Sequence, residues 1–336
     1  MTVLVLRALG LGDALTGVAA LRGIRRAWPG HRVVLAAPQA IGDWLTDLGI
    51  VDAVVPARGL EPLPWPWAGP GGSQDAPGSI AVNLHGSGPE SHRVLLGTRP
   101  SAFVAFANAE VGNEGPDWDE SEHEVLRWCR LVASRGGRCG PGDLRLGPAD
   151  PAGGRDDHVV VHPGAAAPAR RWPPERWAQV VAHLAGQGHH VVLTGSAAER
   201  ELCTRVRQTV VGPWLEPSGH PPASARGVVS DASGRLDLPT LADVVGTARL
   251  LVSADTGVAH VATAYGTPSV TLFGPTPPST WGPVIDLPRH AVIWHGEPGD
   301  PLRDPNGTTL DPALADVTVD EVVAACDAVV GRAAAR

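Results

Sequence analysis

An acid, a hydroxyl, a glycine and an imidazole fall within the stretch SADTGVAH as Asp255, Thr256, Gly257 and His260. The apolar run LLVSA precedes them and a second run, SVTLFG, follows, which is the order strand, turn, helix, strand. In an open α/β sheet such a turn lies at the carboxyl edge, where ligands bind. A helix opening at Gly257 directs its unpaired N–H groups and the positive end of its dipole the same way. That is anion chemistry, and phosphate commonly sits at such a helix N-terminus. Gly257 permits close backbone approach, Thr256 adds a hydroxyl donor, and His260, one turn into the helix, is placed to meet a phosphate oxygen or a departing diphosphate. The plainer reading of the same residues is an Asp N-cap, an ordinary turn glycine and a core histidine.

A second acid occupies a comparable place near the N-terminus. VLVLRALGLGDALTG reads as a strand, a turn holding Gly10 and Gly12, and a helix beginning around Asp13. A GxG after a strand suggests a dinucleotide-binding turn. Leu15 stands where that fingerprint needs its third glycine, however, and the second strand, RVVLAAP, ends without an acid for ribose hydroxyls, which disfavours an NAD-dependent oxidoreductase. Asp13 then has two readings: a carboxylate that stabilises the helix dipole, or a general base that takes a proton from an attacking hydroxyl.

The elements that must position these acids alternate along the chain. Strand-like runs occur at 3–6, 32–37, 53–55, 79–84 and 103–107, with a helix-like segment, ALTGVAALRGIRRAW, between the first two. After the Pro/Gly-rich break at 140–157 the scheme repeats: HVVVHP, then the helix PPERWAQVVAHLAGQG with Trp177, Val180, Val181 and Leu184 on one face, then HVVLTG, LLVSA and SVTLFG. Such alternation predicts parallel sheets with crossover helices. We expect an α/β protein of two Rossmann-like, doubly wound domains, 1–150 and 151–336, facing across a cleft. The Pro/Gly-rich segments 61–79 and 212–227 read as loops.

At 336 residues two domains are the natural division, and 43% hydrophobic with 18% charged residues describes an ordinary globular chain. No apolar run approaches the roughly 20 residues a membrane span needs. The apolar N-terminus lacks the basic region of a signal peptide and is interrupted by Asp13, so a cytoplasmic protein is expected. A net charge of −8 argues against a nucleic-acid partner. All the basic side chains are Arg, which with abundant Ala, Gly and Pro points to a high-GC bacterial genome. Cys129, Cys139, Cys203 and Cys326 show neither close pairs nor metal spacing and read as reduced thiols. Asp117-Trp118-Asp119 has the D-x-D form of a metal site, but lies in a loop, NEGPDWDESEHE, where acids abound by chance. No metal and no cofactor are therefore assigned.

LGLGDAL, NLHGSG at 83–88, HEVLRWCRLV at 123–132, HPGAAAPARRWPPERW and SADTGVAHVATAYGTPSVTLFGPT occur in the order seen in glycosyltransferase family 9, the ADP-heptose:lipopolysaccharide heptosyltransferase group, which the chain resembles over most of its length. The resemblance implies a GT-B architecture, with acceptor bound mainly by the first domain and nucleotide sugar by the second. It implies an inverting, metal-independent transfer of a sugar, a heptose from ADP-heptose by first choice, to a glycan, lipid-linked or small-molecule acceptor. Asp13 falls on the family's base, with Gly10, Gly12 and His85 on acceptor-side loops. Asp255, Thr256, Gly257, Val258 and His260 fall on the donor turn, where the acid would hold sugar hydroxyls and the amides the diphosphate. Arg170 falls near the donor phosphates, Glu199 at a nucleoside-contacting acid and Leu236 near an adenine-lining position. HPGAAAPAR lacks the hydroxyl residues common before that basic position, so the amides of Gly164 and Ala165 would take over those phosphate contacts. A high-GC Gram-positive source would make lipopolysaccharide an improbable acceptor. A nucleotide-sugar epimerase on the same fold is the alternative, and a binding protein that has lost chemistry is disfavoured by Asp13.

Overall fold

The computed structural model describes residues 1–63, 79–148, 151, 154–211, 227–297, 299 and 303–334. The expected loops at 61–79 and 212–227 lie mostly outside them. The chain divides into two compact units, Met1–Leu144 and Arg145–Arg336. The break thus falls at the start of the Pro/Gly-rich segment, and residues from Leu146 onward pair with the second unit, Leu146 N–H donating to Ala264 O at 2.9 Å.

The first unit runs β1 (Thr2–Leu6), α1 (Leu11–Thr16), α2 (Val18–Ala27), β2 (Arg32–Ala37), α3 (Gln39–Asp47), β3 (Ala53–Pro56), β4 (Ile80–Asn83), α4 (Glu90–Leu96), β5 (Ala102–Val104) and α5 (Glu124–Ala133). Its strands form a parallel sheet in the order β3-β2-β1-β4-β5, with Val3 opposite Val33 and Ile80. Val3, Leu4, Val5 and Leu6 are all at most 1% exposed, so both faces of the central strand are covered, as a parallel sheet with crossover helices requires. Leu4, Leu6, Val34 and Ala36 pack with Leu95 of α4 on one face.

Two expectations in this unit change. The helix read from Ala14 to Trp28 is interrupted at Gly17, which ends α1 and opens α2. A Cβ at Gly17 would lie 2.9 Å from Arg7 Cδ and 3.0 Å from its Nε, so a buried cation, invisible to apolar periodicity, requires glycine at this junction. The strand read over 103–107 pairs only through Val104. Ala107 then donates to Pro116 O at 2.9 Å, and the chain turns away from the sheet.

The second unit runs β6 (His158–His162), α6 (Pro174–Gly186), β7 (His190–Leu193), α7 (Arg200–Val211), β8 (Val229–Asp231), α8 (Leu238–Thr247), β9 (Leu250–Ala254), α9 (Gly257–Tyr265), β10 (Ser269–Leu272), α10 (Pro278–Trp281), β11 (His290–Ile293), α11 (Pro312–Asp316) and α12 (Val319–Ala334). The parallel sheet has the order β11-β10-β9-β6-β7-β8. Trp177, Val180, Val181 and Leu184 lie on one stripe of α6 and pack with Val159, Val161 and Val252 of the sheet and Val322 and Cys326 of α12. Trp177 is fully buried edge-to-face on Trp172, with 5.1 Å between ring centres. Truncation of such a side chain costs roughly 3–5 kcal/mol. The edge strands β8 and β11 were not singled out by the alternation, because three or four residues beside Pro/Gly-rich sequence carry too short a pattern. Among the described residues no helix is long and apolar enough to cross a membrane.

Candidate functional site

In the first unit, β1 is the central strand and Asp13 stands just past its carboxyl end. Gly10, extended at φ −71° and ψ 179°, caps α1 without a side-chain bond, and Gly12 and Asp13 are the second and third residues of that helix. The Asp13 side chain is 31% exposed, and the burial of the rest pushes its pKa above the ordinary carboxylate value. The Arg7 guanidinium pulls the other way, Glu124 adds to the rise, and backbone hydrogen bonds from Asp13 and Gly10 lower it. The outcome is a desolvated carboxyl, which binds a proton better than a carboxyl in water.

Arg7 and Glu124 were not found by sequence reasoning. Arg7 is 1% exposed at the end of the buried β1 and donates from Nε to Asp13 O and from Nη1 to Leu84 O. Its Nη2 donates to Thr16 Oγ1 at 2.9 Å and to Glu124 Oε1 at 3.0 Å. The guanidinium also lies over Trp128, 4.9 Å from the ring centre. The available signal was a cation directly after a strand read as buried, since a buried charge demands an opposite one.

His85, on the loop after β4, accepts from Ala8 N–H through Nδ1 at 3.2 Å. Its neutral ring therefore carries its hydrogen on Nε2. Burial, and then the charge of Arg7, push its pKa down to about 4, so it is neutral at pH 7. His92, beside the same loop, is fully buried. It bridges Asn83 Nδ2 at 3.0 Å and Phe106 O at 2.9 Å and supports the loop from below. The D-x-D acids are used locally. Asp119 Oδ1 accepts from the N–H and hydroxyl of Ser121 at 2.9 and 2.7 Å, while Trp118 packs on Phe106 and beneath Arg127. Among the described residues, no three His, Cys, Asp or Glu side chains gather in a way that could hold a metal ion. Cys129 and Cys139, separated by ten positions, meet in space, with Cys139 Sγ 3.9 Å from Cys129 O, and both are free thiols.

In the second unit, β9 delivers Asp255 to the carboxyl edge. Asp255 is 6% exposed; its N–H donates to Leu272 O at 2.9 Å and its carbonyl accepts from Arg170 Nη1 at 3.1 Å. The N-cap of α9 is Thr256, extended at φ −153° and ψ 168°, rather than the Asp255 of the plainer reading, and its hydroxyl makes no cap bond. The Thr256 carbonyl accepts from Ala259 N–H at 2.9 Å, while its side chain closes none of the first amides of α9. Val258 is 3% exposed, so its side chain is not available to a ligand. His260 is half-buried, with its ring edge-to-face on Trp281 at 5.9 Å.

Arg170 reaches this turn from a 3₁₀ turn, Pro168–Arg170, after β6. The next residue fastens the loop, Arg171 Nε donating to Ala165 O at 2.8 Å. Ala169 receives a bond from Asp311 N–H at 3.1 Å and donates to Gly307 O at 3.1 Å. Glu199 is committed to its own turn: its Oε2 accepts from Ser196 N–H at 2.7 Å, in a capping box. Its carboxylate lies against Gly164, where a Cβ would come within 2.1 Å of Oε1. An anion at the Gly164 and Ala165 amides would face that acid, so the geometry favours the α9 end of the edge for phosphate. His162 is buried beside the same carboxylate, Nε2 at 4.0 Å from Oε2, and its burial depresses its pKa. Leu236, half-buried, lies on the loop after β8, which Gly234 N–H ties to Gly195 O at 2.8 Å. The structure therefore groups Arg170 with Asp255, Thr256 and Gly257, and sets Glu199 and Leu236 on the neighbouring loops.

Residues 144–299 match the model of glycosyltransferase family 9 (heptosyltransferase). The chain is 30% identical over 136 residues to lipooligosaccharide heptosyltransferase 2 of Haemophilus influenzae, a match covering 40% of this chain and 36% of that protein. Such matches span less than half the length of the curated relatives. In fold it is similar to ADP-heptose LPS heptosyltransferase II of E. coli, with a TM-score of 0.71 at 19% identity over 99% of both chains. It is also similar to E. coli heptosyltransferase WaaC, solved with ADP, with a TM-score of 0.65 at 19% identity over 97% of this chain and 99% of that one. Residues 144–299 thus resemble glycosyltransferase family 9 (heptosyltransferase), and the two parallel α/β sheets have the GT-B fold of the solved heptosyltransferases.

Proposed function

We propose that this protein is an inverting, metal-independent glycosyltransferase acting in the cytoplasm, which moves a heptose from ADP-heptose to an acceptor hydroxyl. The observation that carries the reading is the N-terminus of α9, which lacks a side-chain cap from Thr256, together with the Arg170 guanidinium, whose Nη1 donates to the carbonyl of the preceding Asp255 at 3.1 Å. Main-chain amides, a helix dipole and a fixed cation together suit a diphosphate. The ADP of a structural neighbour and the heptosyltransferase names of the relatives support the choice of donor. Glu199 and Leu236, on the adjoining loops, are assigned to the nucleoside.

Asp13 is the proposed base. Its desolvated carboxyl takes the proton of the acceptor hydroxyl as that oxygen attacks the anomeric carbon from the face opposite the departing diphosphate, so configuration inverts. Negative charge growing on the leaving group is met by the α9 amides, Arg170 and His260, groups that often supply a few kcal/mol each when preorganised. His85, neutral and carrying hydrogen on Nε2, is assigned to donate to the acceptor. The acceptor itself is a glycan, a lipid-linked sugar or a small molecule.

Calorimetry with ADP, GDP, UDP and dTDP, followed by ADP-heptose turnover with and without EDTA, tests the reading. ADP should bind tightest, and chelation should leave the rate unchanged. Release of an isomerised nucleotide sugar from donor alone would replace the transferase with an epimerase.

A further inference from the structure

Beneath Asp13 lies a charged cluster that the proposed chemistry does not use. Arg7 and Glu124 are 1% and 6% exposed in their side chains, and Glu124 also bonds Arg127 and accepts from Trp128 Nε1 at 2.7 Å. Stability alone is a weak account of such a pair, because apolar side chains of similar volume often do as well. Its geometry is more specific. One guanidinium bonds the Asp13 carbonyl on the turn after β1 and the Leu84 carbonyl on the loop after β4, next to His85. Its Nη2 lies 3.0 Å from Glu124 Oε1 but 3.9 Å from Asp13 Oδ1, so the hydrogen bond goes to Glu124 and not to the proposed base.

We propose that Arg7 and Glu124 are a positioning pair for proton abstraction: Arg7 clamps the Asp13 turn to the His85 loop, and Glu124 engages that cation so that Asp13 remains a proton acceptor instead of an ion-pair partner. The inference rests on Asp13 as the base. A carboxylate in direct contact with Arg holds its proton poorly and makes a weak base. The charged groups around Asp13 are Arg7, directly after β1, and Glu124 from α5, and the N–H groups of Gly10 and Asp13 bond its carboxyl. His85 stays neutral beside them. Arg127 holds the far oxygen of Glu124 and is itself tied to the carbonyls of Asp119 and Glu122, each at 2.8 Å, so the acid is fixed from behind.

The test is carboxyl 13C titration of the full chain labelled at aspartate Cγ, with the Asp13 signal identified by its loss in Asp13→Asn. In the wild type the Asp13 midpoint lies above the ordinary 3.8. Glu124→Gln shifts it down, and Glu124→Asp, whose shorter side chain retreats from Arg7, shifts it the same way by less. Arg7→Met shifts it up. A wild-type midpoint below 3.8 overturns the proposal with no variant needed. An unmoved midpoint in a folded Glu124 variant overturns it as well. A merely structural pair would change melting temperature and leave the Asp13 midpoint in place. The base reading is tested separately by sugar transfer in Asp13→Asn: full turnover removes that reading whatever the titration shows.

Discussion

The turns at Asp13 and Asp255 share a topology and differ in what they expose. Each follows a central parallel strand, β1 or β9, and each leads into a helix. At Asp13 the main chain is consumed by the protein, its carbonyl held by Arg7 and Thr16, and the carboxyl faces outward at 31% exposure. At Asp255 the residue is buried and its backbone joins β10 to Arg170, and the proposal gives the ligand to the helix N-terminus that follows. An acid at the carboxyl edge is therefore not one kind of site. On the proposed reading, the bond partners of its backbone set whether the side chain or the following amides are left for the ligand.

Breaking the first turn should have the largest effect. Asp13→Asn is expected to lower the transfer rate by about 10²–10⁴-fold, the usual contribution of a general base, while ADP affinity by calorimetry stays at the wild-type value. Weakened ADP binding in that variant would erase the division of labour between the turns. Arg170→Ala should do the reverse, losing about 1.5–3 kcal/mol of ADP affinity as charge-assisted bonds to phosphate disappear. His260→Ala should weaken both affinity and rate, by less.

Stability sharpens the contrast with a smaller signal. The folded-state pKa of Asp13 is raised, so its ionised form costs stability once pH exceeds 3.8, and the full cost is present above the raised value. Asp13→Asn should accordingly melt higher than wild type at pH 7 and converge with it below pH 3.8. A lower melting temperature at pH 7 would mean that Arg7 stabilises the carboxylate more than burial opposes it. In the second unit, burial pushes His290 down to about 4. Its unfolded form takes up a proton as pH falls below 6.5 while the folded form does not, so stability falls between pH 6.5 and about 4. The loss has an upper bound of about 3.5 kcal/mol, from 6.5 to about 4 at about 1.4 kcal/mol per pKa unit. His290→Gln should flatten that part of a pH-dependent urea titration.

Much of this was legible from residue order. The apolar runs at 32–37 and 250–254 are strands with the expected bounds, and the stripe from Trp177 to Leu184 faces the core, because period and burial act on the same side chains. The grouping of Arg170 with Asp255 followed from motif order, although 85 positions separate them. What escaped is long-range polar pairing. Nothing in LVLRAL marks its arginine as the partner of an acid 117 positions away, and nothing near His92 tells that Asn83 and Phe106 will enclose it. Hydrogen bonds between distant segments leave no periodic trace, whereas burial does.

The missing Cβ at residue 17 has one further implication. The guanidinium under the proposed base fits because two short helices meet there at a residue without a side chain. Adding a single methyl group there forces the cation to move while touching neither substrate. Under the proposed mechanism, the vacancy at that helix junction would make a solvent-hidden position, remote from the Asp13 carboxyl, a control on how readily the acceptor hydroxyl gives up its hydrogen.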